Sequence, residues 1–192
     1  MVLLHGRGAS AEDILTLVEP LDQGGLAYLA PPAAGSSWWP HSFRAPLADN
    51  EPWLSSALAA VGDVVETIER AGIPPDRVLL LGFSQGACLA LEYAARNPRQ
   101  YGGVAGLTGA LVGPDGAERD DPGRLDQTVV FLGCGDPDPH VPRSRVDETE
   151  VVLAGMGASV TKRIYPGMGH TISQDEIEFV RRMIAGLLEF SL

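Results

Sequence analysis

The stretch Leu-Leu-Leu-Gly-Phe-Ser-Gln-Gly, residues 79–86, decides the fold class of this chain. The apolar run 78–81 predicts a buried strand, and the small residues of 87–95 predict a helix directly after it. Between them lies the pattern Gly-x-Ser-x-Gly, with Ser84 at its centre. A serine on so tight a strand-to-helix turn sits in a strained backbone conformation and points clear of the sheet. The order of strand, sharp turn and helix therefore predicts that Ser84 is a nucleophile.

Charge excludes one broad class of partner. The chain has 192 residues and a formal net charge of −11, with Lys162 as its only lysine. Nucleic-acid binding needs concentrated positive charge to contact phosphates, and the sequence has no cluster of Lys and Arg. We therefore expect no nucleic-acid partner.

The cysteines and the apolar runs indicate a compartment. Cys88 and Cys134 have no metal-ligand spacing and fall on separate predicted core elements, so we expect two buried, reduced thiols and a cytoplasmic protein. His5 interrupts the opening apolar run, which argues against a signal peptide. No segment approaches the roughly 20 apolar residues of a membrane span.

Strand and helix patterns alternate along the whole chain. Six strands are predicted, at 1–4, 26–30, 77–81, 103–107, 128–132 and 159–165. A capping box of Ser10 and Asp13 starts a predicted helix whose apolar face continues to Leu21. Such alternation predicts one domain, 1–192, with a doubly wound, mostly parallel sheet of order 2-1-3-4-5-6 and helices on both faces. Ligands bind such sheets past the carboxyl ends of the strands, here between strands 1 and 3.

A serine nucleophile needs a base and a group that orients the base. His170 follows the last strand in a glycine-rich loop, and it comes last in the chain order Ser, Asp, His that accompanies this type of turn. We expect His5 to be structural, His41 to lie at the surface and His140 to lie at the rim. Two aspartates follow the fifth strand; we favour Asp138 as the orienting acid, and Asp136 could instead bond its own loop.

The reaction also needs donors for a developing oxyanion. The backbone N–H of Gln85, at the start of the helix, is one candidate, and the backbone N–H of Arg7, after the first strand, is the other. The Arg7 side chain is either a bystander or a feature that favours an acidic or phosphate-bearing substrate.

The irregular stretch 31–52 is rich in aromatic residues. Long loops in compact domains are usually functional or disordered, and aromatic content argues against disorder. We interpret Trp38, Trp39 and Phe43 as substrate-binding residues in the wall of a pocket. The alternative is that the tryptophans close the end of the core, and both can hold together.

Four motifs together resemble the phospholipase/carboxylesterase family of α/β-hydrolases, which includes bacterial carboxylesterases and acyl-protein thioesterases. They are His-Gly-Arg-Gly at 5–8, Gly-Phe-Ser-Gln-Gly at 82–86, Gly-Asp-Pro-Asp-Pro-His-Val-Pro at 135–142 and Gly-Met-Gly-His at 167–170. They occur in the family's order and span nearly the whole chain.

The resemblance implies a catalytic triad of Ser84, Asp138 and His170, with Asp138 as the second aspartate of Gly-Asp-x-Asp. It implies Arg7 and Gln85 as backbone oxyanion donors. It also implies hydrolysis of esters or thioesters with no cofactor and no metal.

The sequence departs from the family at its start. Members usually have one or two strands before the His-Gly loop, and here the first strand carries that loop, so we expect the N-terminal strands of the usual fold to be missing. Strand 26–30 then becomes a sheet edge unless a partner covers it, and a homodimer is one expected outcome.

Three functions remain. The leading one is a carboxylesterase that acts on a small-molecule ester with a small to medium acyl chain. The second, with the same triad, is a lysophospholipase or acyl-protein thioesterase, and the polar loop 113–127 argues against the long apolar groove it needs. The third is a scaffold that only binds a small ligand, because fold alone does not determine function.

Overall fold

The computed structural model describes residues 1–121 and 123–189. Its centre is a five-stranded parallel sheet of order β1-β2-β3-β4-β5. The strands are β1 (Val2–Leu4), β2 (Leu79–Phe83), β3 (Gly103–Leu107), β4 (Val129–Asp136) and β5 (Ser159–Pro166). The helices are α1 (Ala11–Leu15), α2 (Val18–Leu21), α3 (Trp53–Arg70), α4 (Gln85–Arg96), α5 (Arg143–Gly155) and α6 (Gln174–Glu189).

Helices cover both faces of the sheet, which confirms the predicted doubly wound α/β fold. Successive side chains of a strand point to opposite faces. Leu80 of β2 accordingly joins a core with residues of α3, α4 and α5. Its neighbours Leu79 and Leu81 join a second core with residues of α1, α2 and α6. Because side chains on both faces of the sheet are buried in a core, the central strands are apolar throughout.

The prediction of six strands was wrong by one. Segment 26–30 forms only an isolated parallel bridge to β1, between Leu29 and Val2. Leu3 donates its N–H to the Leu29 carbonyl at 2.8 Å, and Leu29 donates to the Met1 carbonyl at 3.0 Å. Pro31 and Pro32 follow at once, and a proline has no N–H to extend the ladder. The segment keeps its predicted place beside β1 without becoming a strand.

The predicted helix from Ser10 to Leu21 is also divided. Its capping box forms as expected, since Asp13 N–H donates to Ser10 Oγ at 3.2 Å and Ser10 N–H to Asp13 Oδ2 at 2.8 Å. The break between α1 and α2 begins at Thr16, the C-cap of α1. Pro20 lies four residues later, and a proline ring removes the hydrogen bond to the residue four before it and crowds that carbonyl.

The carboxyl ends of the parallel strands meet at one edge of the sheet. Ser84 follows β2, Asp138 follows β4 by two residues, and His170 follows β5 by four. The loop 5–8 leaves β1 at the same edge. The topology alone therefore brings the four predicted motifs together.

Gly86 sets how closely α4 approaches β1. A Cβ on Gly86 would lie 2.0 Å from the Leu4 carbonyl oxygen, which is backbone and cannot turn away. We expect Gly86→Ala to lower the free energy of unfolding by about 4 kcal/mol or more, or to prevent folding. Urea denaturation of the purified variant checks this.

Gly155, at the end of α5, is the matched control, because a Cβ there would meet nothing within 4 Å. We expect Gly155→Ala to be neutral or to add about 0.5–1 kcal/mol. Wild-type stability of Gly86→Ala would contradict the proposed packing.

Candidate active site

Ser84 is the residue between β2 and α4, and its backbone is strained. It has φ 55° and ψ −119°, a conformation that side-chain-bearing residues rarely adopt. Its N–H donates to the Leu107 carbonyl at 3.0 Å, so the neighbouring strand β3 holds the turn. The serine thus has the sharp turn that the sequence motif predicts.

Three glycines make room for this turn. A Cβ on Gly82 would lie 2.0 Å from the Gly86 carbonyl oxygen, so the two ends of the turn are in backbone contact. A Cβ on Gly6 would lie 3.3 Å from Ser84 Cβ. The loop after β1 therefore packs directly against the serine.

His170 lies between Ser84 and Asp138, and hydrogen bonds link the three side chains. His170 Nε2 is 2.8 Å from Ser84 Oγ, and His170 Nδ1 is 2.8 Å from Asp138 Oδ2. A carboxylate can only accept, so Nδ1 carries the proton and Nε2 is the acceptor for the serine hydroxyl. This is the geometry a serine nucleophile needs.

Asp138 is held as a buried anion. Its side chain has no exposed surface, and its Oδ1 accepts the backbone N–H groups of His140 at 2.7 Å and Val141 at 2.8 Å. Burial alone would raise the pKa of Asp138, but the hydrogen bonds from Val141, His140 and His170 outweigh it and lower the pKa below its usual value. The carboxylate therefore stays ionised beside His170 at neutral pH.

Asp136, the other candidate acid, faces a different neighbour. Its carboxylate is half exposed and lies 3.7 Å from the Arg143 guanidinium. Its backbone carbonyl accepts the Gly167 N–H at 2.8 Å. The aspartate that contacts His170 is the second of the motif, as the sequence favours.

The side chains of the other histidines lie outside this chain of hydrogen bonds. His5 is buried, accepts the Ala33 N–H at 3.0 Å through Nε2, and holds its loop as expected. His41 is exposed. His140 is also exposed, and its ring lies against that of His170 with centroids 4.7 Å apart.

The predicted pocket aromatics are core residues. Trp38, Trp39 and Phe43 are 5%, 1% and 9% exposed, and all belong to the core that α3 and α4 cover. This placement is the alternative that the sequence leaves open. Their contact with a substrate stays a prediction.

The Gln85 side chain has a role that the sequence does not reveal. Its Oε1 accepts the Trp38 N–H at 3.0 Å and the Ser37 hydroxyl at 3.4 Å, and its Nε2 donates to the Trp39 carbonyl at 2.9 Å. The residue after the serine thus ties the aromatic loop to the start of α4. Polar side chains on a helix start are usually interpreted as caps, and no sequence signal specified this partner.

The Arg7 side chain serves the same loop. Its guanidinium donates to the carbonyls of Pro40 at 2.9 Å and His41 at 2.7 Å. The side chain thus holds the loop and is not a bystander, and its recognition of an acidic substrate stays a prediction. The oxyanion roles of the Arg7 and Gln85 backbone N–H groups stay predictions, supported by the contact of Gly6 with Ser84.

The cysteines do not provide a second nucleophile. Cys88 and Cys134 are free and buried, and burial raises the pKa of both thiols to about 12. Both therefore stay protonated at neutral pH.

Among residues 1–121 and 123–189, no three His, Cys, Asp or Glu side chains form a group that could hold a metal ion. Within the same residues, no helix is long and apolar enough to cross a bilayer.

A family model for phospholipase/carboxylesterase matches residues 1–188. The chain belongs to this family. The resemblance carried by the four motifs is thereby confirmed.

A solved structure and two curated relatives are similar to the chain. The crystal structure of phospholipase/carboxylesterase from Dyadobacter fermentans is 50% identical, with a TM-score of 0.92 over 96% of this chain and 88% of that one. Acyl-protein thioesterase 1 of Gibberella zeae is 34% identical over 59% of this chain and 49% of that protein. Acyl-protein thioesterase 1 of Saccharomyces cerevisiae is 30% identical over 73% and 61%. The chain thus spans about half to three-fifths of these curated relatives.

We expect Gln85→Ala to lower the free energy of unfolding by about 1–3 kcal/mol, because it leaves the buried Trp38 N–H without its acceptor. The measurement is urea denaturation of wild type and variant. Gln100→Ala, at an exposed glutamine, should change the same quantity by less than about 0.5 kcal/mol. Equal stabilities of the two variants would show that the loop does not depend on Gln85.

Proposed function

We propose that this protein is a serine hydrolase that cleaves carboxylic esters of small to medium acyl chains, with Ser84, His170 and Asp138 as its catalytic triad. The observation that carries the proposal is the pair of 2.8 Å hydrogen bonds that join the three side chains. Membership of the phospholipase/carboxylesterase family supports the same chemistry.

In the first half of the reaction, Ser84 Oγ attacks the ester carbonyl carbon while its proton moves to His170 Nε2. The resulting imidazolium is stabilised by the Asp138 carboxylate, whose lowered pKa keeps it ionised. His170 then gives the proton to the departing alcohol, the C–O bond breaks, and the acyl group remains on Ser84.

In the second half, water replaces the alcohol. His170 Nε2 takes a proton from the water as its oxygen attacks the acyl carbon, and returns the proton to Ser84 Oγ when the acid leaves. The carbonyl oxygen carries negative charge in both halves. We assign its stabilisation to the backbone N–H groups of Gln85, the first residue of α4, and Arg7.

The second candidate function is a lysophospholipase or acyl-protein thioesterase with the same triad. The names of the two curated relatives favour it. A cavity of about 720 Å³ beside the loop that follows β3 adds no support, because charged residues such as Arg119, Asp121 and Glu148 line it and no residue of the triad does.

A cytoplasmic location and a homodimer complete the proposal. The free thiols of Cys88 and Cys134 support a reducing compartment. The single bridge of Leu29 to β1 supports an edge that can accept a second copy of the chain. Cell fractionation and light scattering of the purified protein test these two points.

A fluorophosphonate probe tests the nucleophile. We expect the probe to label the folded wild-type protein and not Ser84→Ala. The kcat of Ser84→Ala should be lower than that of wild type by at least about a thousandfold. Ser55→Ala, at an exposed serine of α3, should be labelled as wild type. Folded wild-type protein that resists the probe would instead support the alternative of a scaffold that only binds a ligand.

Acyl chain length separates the two enzymatic candidates. We expect kcat/KM on the acetate, butyrate, octanoate and palmitate esters of one alcohol to fall steeply after the short chains, because the aromatic loop packs into the core rather than opening a groove. Steady-state kinetics on the four esters and on a palmitoyl thioester provide the comparison. A maximum at palmitate would favour the second candidate.

A further inference from the structure

The ring of His140 lies against the ring of His170. Their centroids are 4.7 Å apart and their planes meet at 76°, which is an edge-to-face contact. His140 belongs to the loop between β4 and α5 and is exposed, whereas the His170 side chain is 19% exposed. The His140 side chain takes no part in the proposed two-step reaction.

One carboxylate places both histidines. Asp138 Oδ1 accepts the His140 backbone N–H at 2.7 Å, and Asp138 Oδ2 contacts His170 Nδ1 at 2.8 Å. The position of the His140 backbone is therefore linked to the position of the catalytic ring through a side chain that is itself buried.

The backbone of the loop that carries His170 is held at its start, where the Gly167 N–H donates to the Asp136 carbonyl at 2.8 Å. Hydrogen bonds hold the His170 ring at Nδ1 and Nε2. Neighbouring rings limit its rotation about the line through these two nitrogens. Those neighbours are the ring of His140 and the ring of Phe83, whose centroid lies 5.1 Å from that of His170.

We propose that His140 is a positioning residue, whose ring packs against His170 and holds that imidazole in line with Ser84. The inference rests on the proposed function, because it assigns His170 the role of general base. Its chemical content is packing, so an aromatic ring without a titratable nitrogen should replace His140.

Kinetics of two variants test the proposal. We expect His140→Ala to lower kcat about three- to tenfold, the size of one lost aromatic contact, with KM within about twofold of wild type. His140→Phe should restore kcat to within about twofold. Ile73→Ala, at an exposed residue after α3, is the control and should match wild type.

Three kinetic results would overturn the proposal. They are wild-type kcat in His140→Ala, a kcat in His140→Phe as low as in His140→Ala, and a change confined to KM. The first result would show that the ring contact does not affect turnover, and the second would show that the imidazole itself is needed. The third would show that His140 contacts only bound substrate.

A second readout separates this proposal from the proposed function. The His170 Nδ1–H proton, bonded to Asp138, can be followed by proton NMR without any turnover. We expect faster exchange of this proton with water in His140→Ala than in wild type and His140→Phe. If the wild-type protein neither hydrolyses esters nor reacts with the probe, the proposed function is wrong. If the proton exchanges at the wild-type rate in His140→Ala, the positioning role of His140 is wrong.

Discussion

The backbone contact between Gly86 of α4 and Leu4 of β1 is the constraint on which the site depends. It brings the start of a helix against the end of a strand with no side chain between them. Gly82 repeats the contact within the turn, and Ser84 is left in a conformation that only a tightly held backbone can maintain. The close approach also brings the His-Gly loop beside the serine, where the predicted oxyanion donors lie.

The position of the site could be predicted from the sequence because it follows from topology. Parallel strands present their carboxyl ends at one edge, so residues that follow different strands meet there. Ser84, Asp138 and His170 are separated by tens of residues, yet each needs only a correct strand and a short loop to arrive. The predicted strand order indicated the edge where the loops meet, and the chain order of Ser, Asp and His indicated His170 as the candidate base.

The remaining features depend on contacts that leave no local pattern. Segment 26–30 has the composition of a strand, and two prolines after it limit its pairing to one bridge. Trp38 and Trp39 have the composition of a pocket wall, and the tethers from Gln85 draw them into the core. A long-range partner decides the outcome in each case, and periodicity within a segment carries no information about that partner.

The attachment of the aromatic loop to Gln85 has a consequence for engineering. One residue supplies, through its main chain, a proposed electrostatic donor and, through its side chain, the anchor of residues 37–39. Grafts that replace residues 37–39 would therefore also disturb the start of α4, where the proposed donor lies. The tryptophan pair should therefore tolerate substitution less well than surface loops that make no bond to this turn.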